Sequence, residues 1–257
     1  MASSKIILET NKLGIDFGGL TAVNNFNIKI RHGEIYGLIG PNGAGKTTIF
    51  NLLTKVYMPT RGTIILNDKD ITKLDIVEVS KLGIARTFQN IRLFSNLSVI
   101  DNVLIAMNND TDYSLVDTFL RSSYFKKLEK EKEEEAISLL KIFNLDKFKD
   151  AKASSLPYGE QRRLEIVRAL ATHPSLLLLD EPAAGMNPKE TQDLLSSIKK
   201  IKEDFNISIL LIEHDMKFVM GLCDNITVLY FGQVLATGKP DEIKNNPDVI
   251  KAYLGGA

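Results

Sequence analysis

Only one cysteine, Cys223, occurs among the 257 residues, which excludes an intramolecular disulfide and fits a reducing compartment. No His/Cys cluster surrounds it, so it reads as a small buried hydrophobe. Charge of one sign is also lacking, since 32 Lys and Arg balance 32 Asp and Glu. The chain as a whole therefore offers no attraction to nucleic acid or to an acidic membrane surface, although a local patch stays open. Nowhere does an apolar run approach the ~18 residues of a membrane span, and Met1-Ala-Ser-Ser-Lys-Ile-Ile-Leu8 lacks the apolar core of a signal peptide. Internal repeats and low-complexity linkers are absent too. The expectation is a cytoplasmic enzyme that reaches any membrane through a partner. Its 44% hydrophobic content suits one sizeable domain with a lobe, or two smaller domains.

What is present begins with Gly40-Pro-Asn-Gly-Ala-Gly-Lys-Thr-Thr48, which fits G-x-x-x-x-G-K-[ST]. It lies between the apolar run Glu34–Ile39 and a helix expected over Thr48–Lys55, the strand, loop and helix order that a P-loop requires. Glycines let successive N–H groups turn inward around a polyphosphate, and the helix N-terminus adds partial positive charge there. Lys46 would reach the β- and γ-phosphates, and Thr47 would ligate Mg²⁺. Further on, Leu176-Leu-Leu-Leu179 reads as a fully buried strand ending in Asp180-Glu181-Pro182. Two carboxylates then stand at a carboxyl edge, where open α/β sheets bind ligands. Asp180 would hold Mg²⁺ through water, and Glu181 would polarise the water attacking the γ-phosphate.

Along the chain, short strands are expected at Ile6–Glu9, Phe26–Ile30 and Ile64–Leu66, with turns at Pro59–Gly62 and Asn67-Asp68. From Asn90 to Ser155 the pattern becomes helical and increasingly charged. The stretch Phe125–Phe143 reads as a solvated helix whose later turns dock on a core, with an interaction tail as the alternative. Beyond Gly159 an α/β alternation resumes: helix 160–171, strand 176–179, helix 188–203, strand 207–212 and helix 216–222. That order predicts parallel strands with crossover helices. A hairpin around Gly232 follows (225–230 and 233–237), then short helices at 240–245 and 247–254. Between the two nucleotide motifs, Leu156-Pro-Tyr-Gly-Glu-Gln161 precedes a regular amphipathic run. It reads either as an ordinary capped helix or as a second anion site at a helix N-terminus.

The order Gly40–Thr48, Gln89, Leu156–Gln161, Asp180–Glu181 and His214 resembles the ATP-binding subunits of ABC transporters over nearly the whole chain. The blocks Ala85–Phe94, Asp180–Pro188 and Asn245–Leu254 are similar to the ATPases of high-affinity branched-chain amino-acid importers, of the G type. The resemblance implies an α/β P-loop NTPase of RecA-like core with an N-terminal antiparallel β subdomain and an inserted α-helical subdomain. The whole chain 1–257 would form one ABC ATPase domain, with 1–89 and 160–257 as nucleotide-binding core and 90–159 as helical subdomain and signature motif.

The same resemblance implies roles. Catalysis would rest on Glu181, His214, Gln89 and Lys46, and the metal on Thr47, Gln89 and Asp180. Phe17 and Val23 would meet the nucleobase side of ATP, with Asn42, Gly43, Ala44, Gly45, Lys46, Thr47 and Thr48 around the phosphates. Tyr158, Gly159 and Glu160 would bind the γ-phosphate on the P-loop of a second ATPase subunit, either the same chain or a paralogue. Taken singly, Gln89 reads as a surface residue, His214 as a helix-start histidine and Phe17 as a core aromatic. The signature departs from the common L-S-G-G-Q form, because Pro157 replaces the serine and Tyr158 the first glycine. A lost hydroxyl removes one charge-assisted hydrogen bond, on the order of 1.5–3 kcal/mol. Asn187 stands where many relatives have an aspartate. Ile91-Arg-Leu-Phe94 would form the groove that receives a helix of an integral membrane permease, with core packing of Leu93 and Phe94 as the alternative.

The implied function is an ATP- and Mg²⁺-dependent ATPase, peripheral on the inner face of the cell membrane. It would drive permease subunits and, indirectly, a substrate-binding protein, without nucleic acid. The rivals are a lipopolysaccharide-export ATPase, a soluble ABC ATPase acting on nucleic acid or ribosomes, and a non-hydrolysing regulatory module. The absence of a long heptad insertion and of a second ATPase unit disfavours the soluble class, and intact Glu181 and His214 disfavour the last.

Overall fold

The computed structural model describes residues 5–107 and 123–254. Two compact units emerge, a larger one drawn from residues up to Gln89, Pro174–Ala184 and Thr191 onward, and a smaller one from Asn90–His173 and Gly185–Glu190.

The larger unit holds two sheets. Strands β1 (Ile6–Phe17), β2 (Leu20–Arg31), β4 (Arg61–Leu66) and β5 (Lys69–Asp70) form an antiparallel sheet in the order β2-β1-β4-β5. On β2, Phe26, Ile28 and Ile30 are buried while Asn27, Lys29 and Arg31 are exposed, the alternation of a half-covered strand. The other sheet has the order β10-β9-β3-β8-β7-β6. It combines β3 (Ile35–Ile39), β6 (Ile84–Arg86), β7 (Leu176–Asp180), β8 (Ser208–Ile212), β9 (Asn225–Tyr230) and β10 (Gln233–Gly238). Every pairing among β3, β6, β7, β8 and β9 is parallel, and β10 closes an antiparallel hairpin on β9. Strands β3, β7 and β8 are buried at every residue. Such unbroken apolar runs belong to parallel strands covered on both faces. The parallel core and the C-terminal hairpin are as the alternation predicts.

The N-terminal strands are longer than expected. In β1 the register shifts between Thr10 and Leu13, Leu13 and Ile15, and Ile15 and Asp16, and Lys12 adopts φ 48°. These bulges break the two-residue period, so periodicity alone ends the strand at Glu9. Five helices complete the unit. They are α1 (Lys46–Leu53), α2 (Ile76–Lys81), α7 (Met216–Leu222), α8 (Pro240–Lys244) and α9 (Pro247–Leu254), with α6 (Pro188–Phe205) beginning in the smaller unit and continuing into this one. A capping box between Asp75 and Glu78 opens α2, and Asp215 caps α7 by accepting from the N–H of Lys217 and Phe218. Cys223 is buried, and burial pushes its thiol well above the ordinary value.

The smaller unit carries α3 (Val99–Met107), α4 (Ser123–Ile142) and α5 (Tyr158–Leu170). Here the sequence expectation needs correction, because residues 90–98 are not helical. The fully buried Asn102 explains the difference: its Oδ1 accepts from Phe94 N (2.9 Å) and its Nδ2 donates to the carbonyls of Phe94 and Ser98, satisfying as a turn what a helix would satisfy internally. Helix α4 takes the solvated reading. Lys127–Glu131 and Lys130–Glu134 are exposed i,i+4 pairs, while Ala136, Leu139, Leu140 and Phe143 are buried. The part of the helical expectation over 108–122 lies outside the described residues.

Leu210 lies in β8 between β3 and β7 and is fully buried. Leu210→Ala is expected to lower the unfolding free energy by about 2–5 kcal/mol, measured by urea titration. A loss close to zero would mean that this strand is not the packed centre of the sheet.

Candidate active site

Strand β3 runs into Gly40–Gly45 and helix α1. Gly40 (φ 153°), Gly43 (φ 78°) and Gly45 (φ 104°) all occupy the region that side chains disfavour. Space sharpens the requirement at Gly40, where a Cβ would sit 2.3 Å from the Leu229 carbonyl, whereas nothing lies within 4 Å of one at Gly43. The loop is seated on the hairpin after β9: Gly232 N donates to Ala44 O (2.9 Å) and Asn24 N to Gly232 O (2.8 Å). Val23 is fully buried beside Gly45. Asn42, Gly43 and Thr47 are exposed, Thr48 is half-buried and Ala44 is buried. The mostly buried Lys46 ammonium folds back over the loop, donating to the carbonyls of Gly40 (2.7 Å) and Pro41 (3.0 Å). Desolvation pulls its pKa below the usual lysine value, and the negative charges of Glu181 and Asp180 pull it back up. Phe17, at the end of β1, is exposed and stands edge-on to Tyr57 with ring centroids 5.2 Å apart. The core-packing alternative for Phe17 is therefore set aside.

The carboxylates reach the same sheet edge through register. Ile212 at the end of β8 is paired with Leu38 on one side and Asp180 on the other. Asp180 is 3% exposed. Glu181 takes a left-handed backbone (φ 47°), a strained conformation for a residue with a long side chain. It is held by Glu181 N donating to Ile212 O (2.9 Å) and by its own carbonyl accepting from Ala184 N (3.1 Å). Two of the expected residues meet on its carboxylate: Gln89 Nε2 donates to Oε2 (3.3 Å), and His214 Nδ1 lies 3.8 Å from Oε1.

Tyr158, Gly159 and Glu160 belong to the smaller unit, where they form the first turn of α5. Its N-cap is Pro157, whose side chain makes no capping hydrogen bond. Tyr158 is exposed, and a Cβ on Gly159 would come 3.4 Å from the Glu190 carboxylate. Asn187 works as a helix cap: its Oδ1 accepts from the N–H of Lys189 and Glu190 at 3.0 Å each, and Glu190 Oε2 accepts from Asn187 N at 2.9 Å. An aspartate would serve the same capping geometry. Leu93 is half-buried and Phe94 exposed, with the Arg168 guanidinium 4.9 Å from the Phe94 ring centroid.

Several contributors carry no motif of their own. Thr87 Oγ1 accepts from Asp180 N at 3.3 Å. Glu213, 1% exposed, accepts from the N–H of Ala183 (2.9 Å) and His214 (3.1 Å), tying the segment after Asp180 to the histidine. Burial raises the Glu213 pKa. Arg86 reaches the Asp180 carboxylate itself (2.8 Å). A single sequence shows these as an ordinary Thr, Glu and Arg beside apolar strands. Among the described residues no three His, Cys, Asp or Glu side chains gather as metal ligands. A cation here would draw on oxygens alone, the Asp180 carboxylate and Thr47 hydroxyl with water and phosphate, a donor set that suits Mg²⁺.

A phosphate-cradling loop with its lysine after β3, and a strand-end carboxylate pair after β7, one parallel strand away across β8, define a P-loop NTPase. Comparison narrows the class. The ABC transporter family model matches residues 23–184, and that of the branched-chain amino acid ATP-binding cassette transporter matches 233–257. The high-affinity branched-chain amino acid transport ATP-binding protein LivG of Escherichia coli K12 is 48% identical over 254 residues, covering 99% of this chain and 100% of LivG. BraF of Pseudomonas aeruginosa, of the same description, is 46% identical over the same shares. In structure, the ADP conformation of MJ1267, an ATP-binding cassette of an ABC transporter, superposes with a TM-score of 0.85 at 30% identity, covering 98% of this chain and 100% of that one. The chain belongs to the ABC transporter family, among its ATP-binding cassettes.

Gly40→Ala is expected to weaken ATP binding far more than Gly43→Ala, because both strain φ but only the first also drives a Cβ into a carbonyl. Equilibrium titration with a fluorescent ATP analogue measures it, and equal affinities would mean that the loop is not seated on Leu229.

Proposed function

We propose that the chain is the ATP-hydrolysing subunit of an importer of branched-chain amino acids, with residues 1–257 acting as one ATPase domain. The observation that carries the reading is the meeting of Gln89 and His214 on the Glu181 carboxylate, at the sheet edge that also bears the Lys46 loop. The substrate class rests on near-full-length likeness to LivG and BraF and on the match at 233–257. Both weigh against lipopolysaccharide export and against the soluble and regulatory readings. No described helix is long and apolar enough to cross a membrane, so work on a membrane passes through permease subunits on which this chain sits peripherally.

In this reading Phe17 stacks on adenine beside Val23, and the amides of residues 42–48 with Lys46 bind the phosphates. Thr47, Gln89 and Asp180 hold Mg²⁺. When bound, the metal would neutralise charge developing on the β- and γ-phosphate oxygens. Glu181 orients the attacking water and takes its proton, Gln89 fixes the carboxylate from one side, and His214 faces the γ-phosphate from the other. The first turn of α5, through Tyr158, Gly159 and Glu160, meets the nucleotide of a second ATPase subunit. With Pro157 in place of a serine, backbone amides carry that contact. Related cassettes are known as dimers; one is the post-hydrolysis state of MJ0796 bound to ADP and Pi, with a TM-score of 0.77 at 25% identity. Closure on ATP and reopening after hydrolysis would be the stroke passed to the permease.

Glu181→Gln is expected to keep ATP affinity and lose turnover, since an amide fills the site but accepts no proton. With ATP it should also accumulate a closed dimer, alone or with a paralogous subunit. Gly159→Asp in the same background should abolish that dimer, because a carboxylate would face both γ-phosphate and Glu190. Light scattering with and without ATP reads both effects. An unchanged dimer in the Gly159→Asp protein removes the assignment across subunits, and normal hydrolysis by Glu181→Gln moves water activation elsewhere.

The exposed Phe94 and half-buried Leu93 support a docking groove for the permease. Replacing both with serine should leave ATP binding intact and abolish co-purification with the permease subunits and substrate uptake in vesicles. Apolar anchors of this size contribute up to about 1.5–3 kcal/mol each when fully buried. A thermal melt controls for folding, and a folded double variant that still co-purifies and transports would overturn the groove.

A further inference from the structure

Arg86 ends β6, next to β7 in the sheet and paired with Leu178, two residues before Asp180. Its guanidinium has two differently engaged arms. Nη2 donates to Asp180 Oδ2 at 2.8 Å, while Nη1 donates to Asn51 Oδ1 at 2.7 Å and lies 3.4 Å from Thr54 Oγ1, in the last turn of α1 and just beyond it. The two charged side chains are 9% and 4% exposed. The Arg86 Cζ sits 5.4 Å from the Phe50 ring centroid and 5.3 Å from that of Phe88. Aromatic faces so placed hold a planar cation by stacking as well as by charge. Asn51 is four residues beyond Thr47 on the same helix, hence on the same helix face.

We propose that Arg86 is a positioning residue for the metal end of the site: it clamps the Asp180 carboxylate to the P-loop helix, fixing the separation between that carboxylate and the Thr47 hydroxyl. The inference rests on the assignment of Asp180 and Thr47 to the metal made above. Arg86 engages Oδ2, so a cation or its water would be met by Oδ1. Asp180 is fixed from the backbone as well, through its N–H donating to Thr87 Oγ1. A buried carboxylate deprived of its cation is left uncompensated. A lysine would restore the charge but not the fork, since a single ammonium cannot span both partners in the planar geometry of a guanidinium.

The test separates metal binding from nucleotide binding. Mn²⁺ affinity is read by the electron paramagnetic resonance signal of free Mn²⁺ in the presence of a non-hydrolysable ATP analogue, and nucleotide affinity is read in EDTA. Arg86→Gln and Arg86→Lys are expected to bind Mn²⁺ about 10- to 100-fold more weakly with unchanged nucleotide affinity in EDTA. Asn51→Ala, which keeps the ion pair and leaves the other arm only its longer contact to Thr54 Oγ1, should move Mn²⁺ affinity the same way by less. Folded Arg86→Gln and Arg86→Lys proteins with wild-type Mn²⁺ affinity would overturn the proposal, as would a parallel loss of nucleotide affinity in EDTA, which marks a general structural role. If Arg86→Gln does not fold, Arg86→Lys and Asn51→Ala decide by the same two readings. Asp180→Asn serves as the reference: a wild-type protein that binds Mn²⁺ no better than Asp180→Asn refutes the metal assignment itself, and the clamp with it.

Discussion

Everything at the site depends on strand β8 being shared. Its ladder to β3 brings Leu38 level with Ile212, and its ladder to β7 brings Asp180 level with the same residue. Parallel strands lie about 4.8 Å apart, so the start of the phosphate loop and the carboxylate pair stand roughly 10 Å from one another across one strand. A single-residue slip in either ladder would turn alternate side chains to the opposite face and move one motif along the edge. The continuous apolar content of β3, β7 and β8 does not by itself fix that register. Backbone bonds flanking the two ladders accompany it, Ile209 N to Glu34 O on the β3 side and Glu181 N to Ile212 O on the β7 side.

From that edge a set of carboxylates is organised by unlike environments. Asp180 is buried against Arg86. Glu181 turns out of the sheet through a left-handed residue and presents its carboxylate to Gln89 and His214. Glu213 accepts from the backbone N–H groups of Ala183, His214 and Asp215, with the His214 Nδ1 3.9 Å from its carboxylate, and burial lifts its pKa. One acid is thus paired with a guanidinium, one faces Gln89 and His214, and one holds a loop, and the left-handed backbone falls on Glu181.

Much of this was legible in the sequence where chemistry imposes a spacing. The glycines of 40–45, the buried run before Asp180-Glu181 and the hairpin at Gly232 follow from residue type and period, and each is found where the pattern puts it. What was not legible arises from contacts between distant segments. The bulged half of β1 hides its strand because Lys12 interrupts the alternation, and the segment 90–98 is held as a turn by the buried Asn102 side chain, which bonds the backbone of Phe94 and Ser98. Arg86 and Thr87 are invisible for the same reason: their partners lie some 35 and 93 positions along the chain, and nothing local marks them.

The two cations of the site divide the electrostatic work. Arg86 is stacked on rings and bonded at both arms, so its charge is committed to the structure. Lys46 is committed only to two neutral carbonyls of its own loop, and desolvation disfavours its charge there. A neutral carbonyl compensates a buried ammonium less well than an anion does. A polyphosphate entering the loop therefore replaces the weaker partners of Lys46 with stronger ones without disturbing the Asp180 pair. Binding energy is released at the loop while the Arg86-bound carboxylate of Asp180 keeps its place, and a site built this way can tighten on nucleotide without first dismantling its own core.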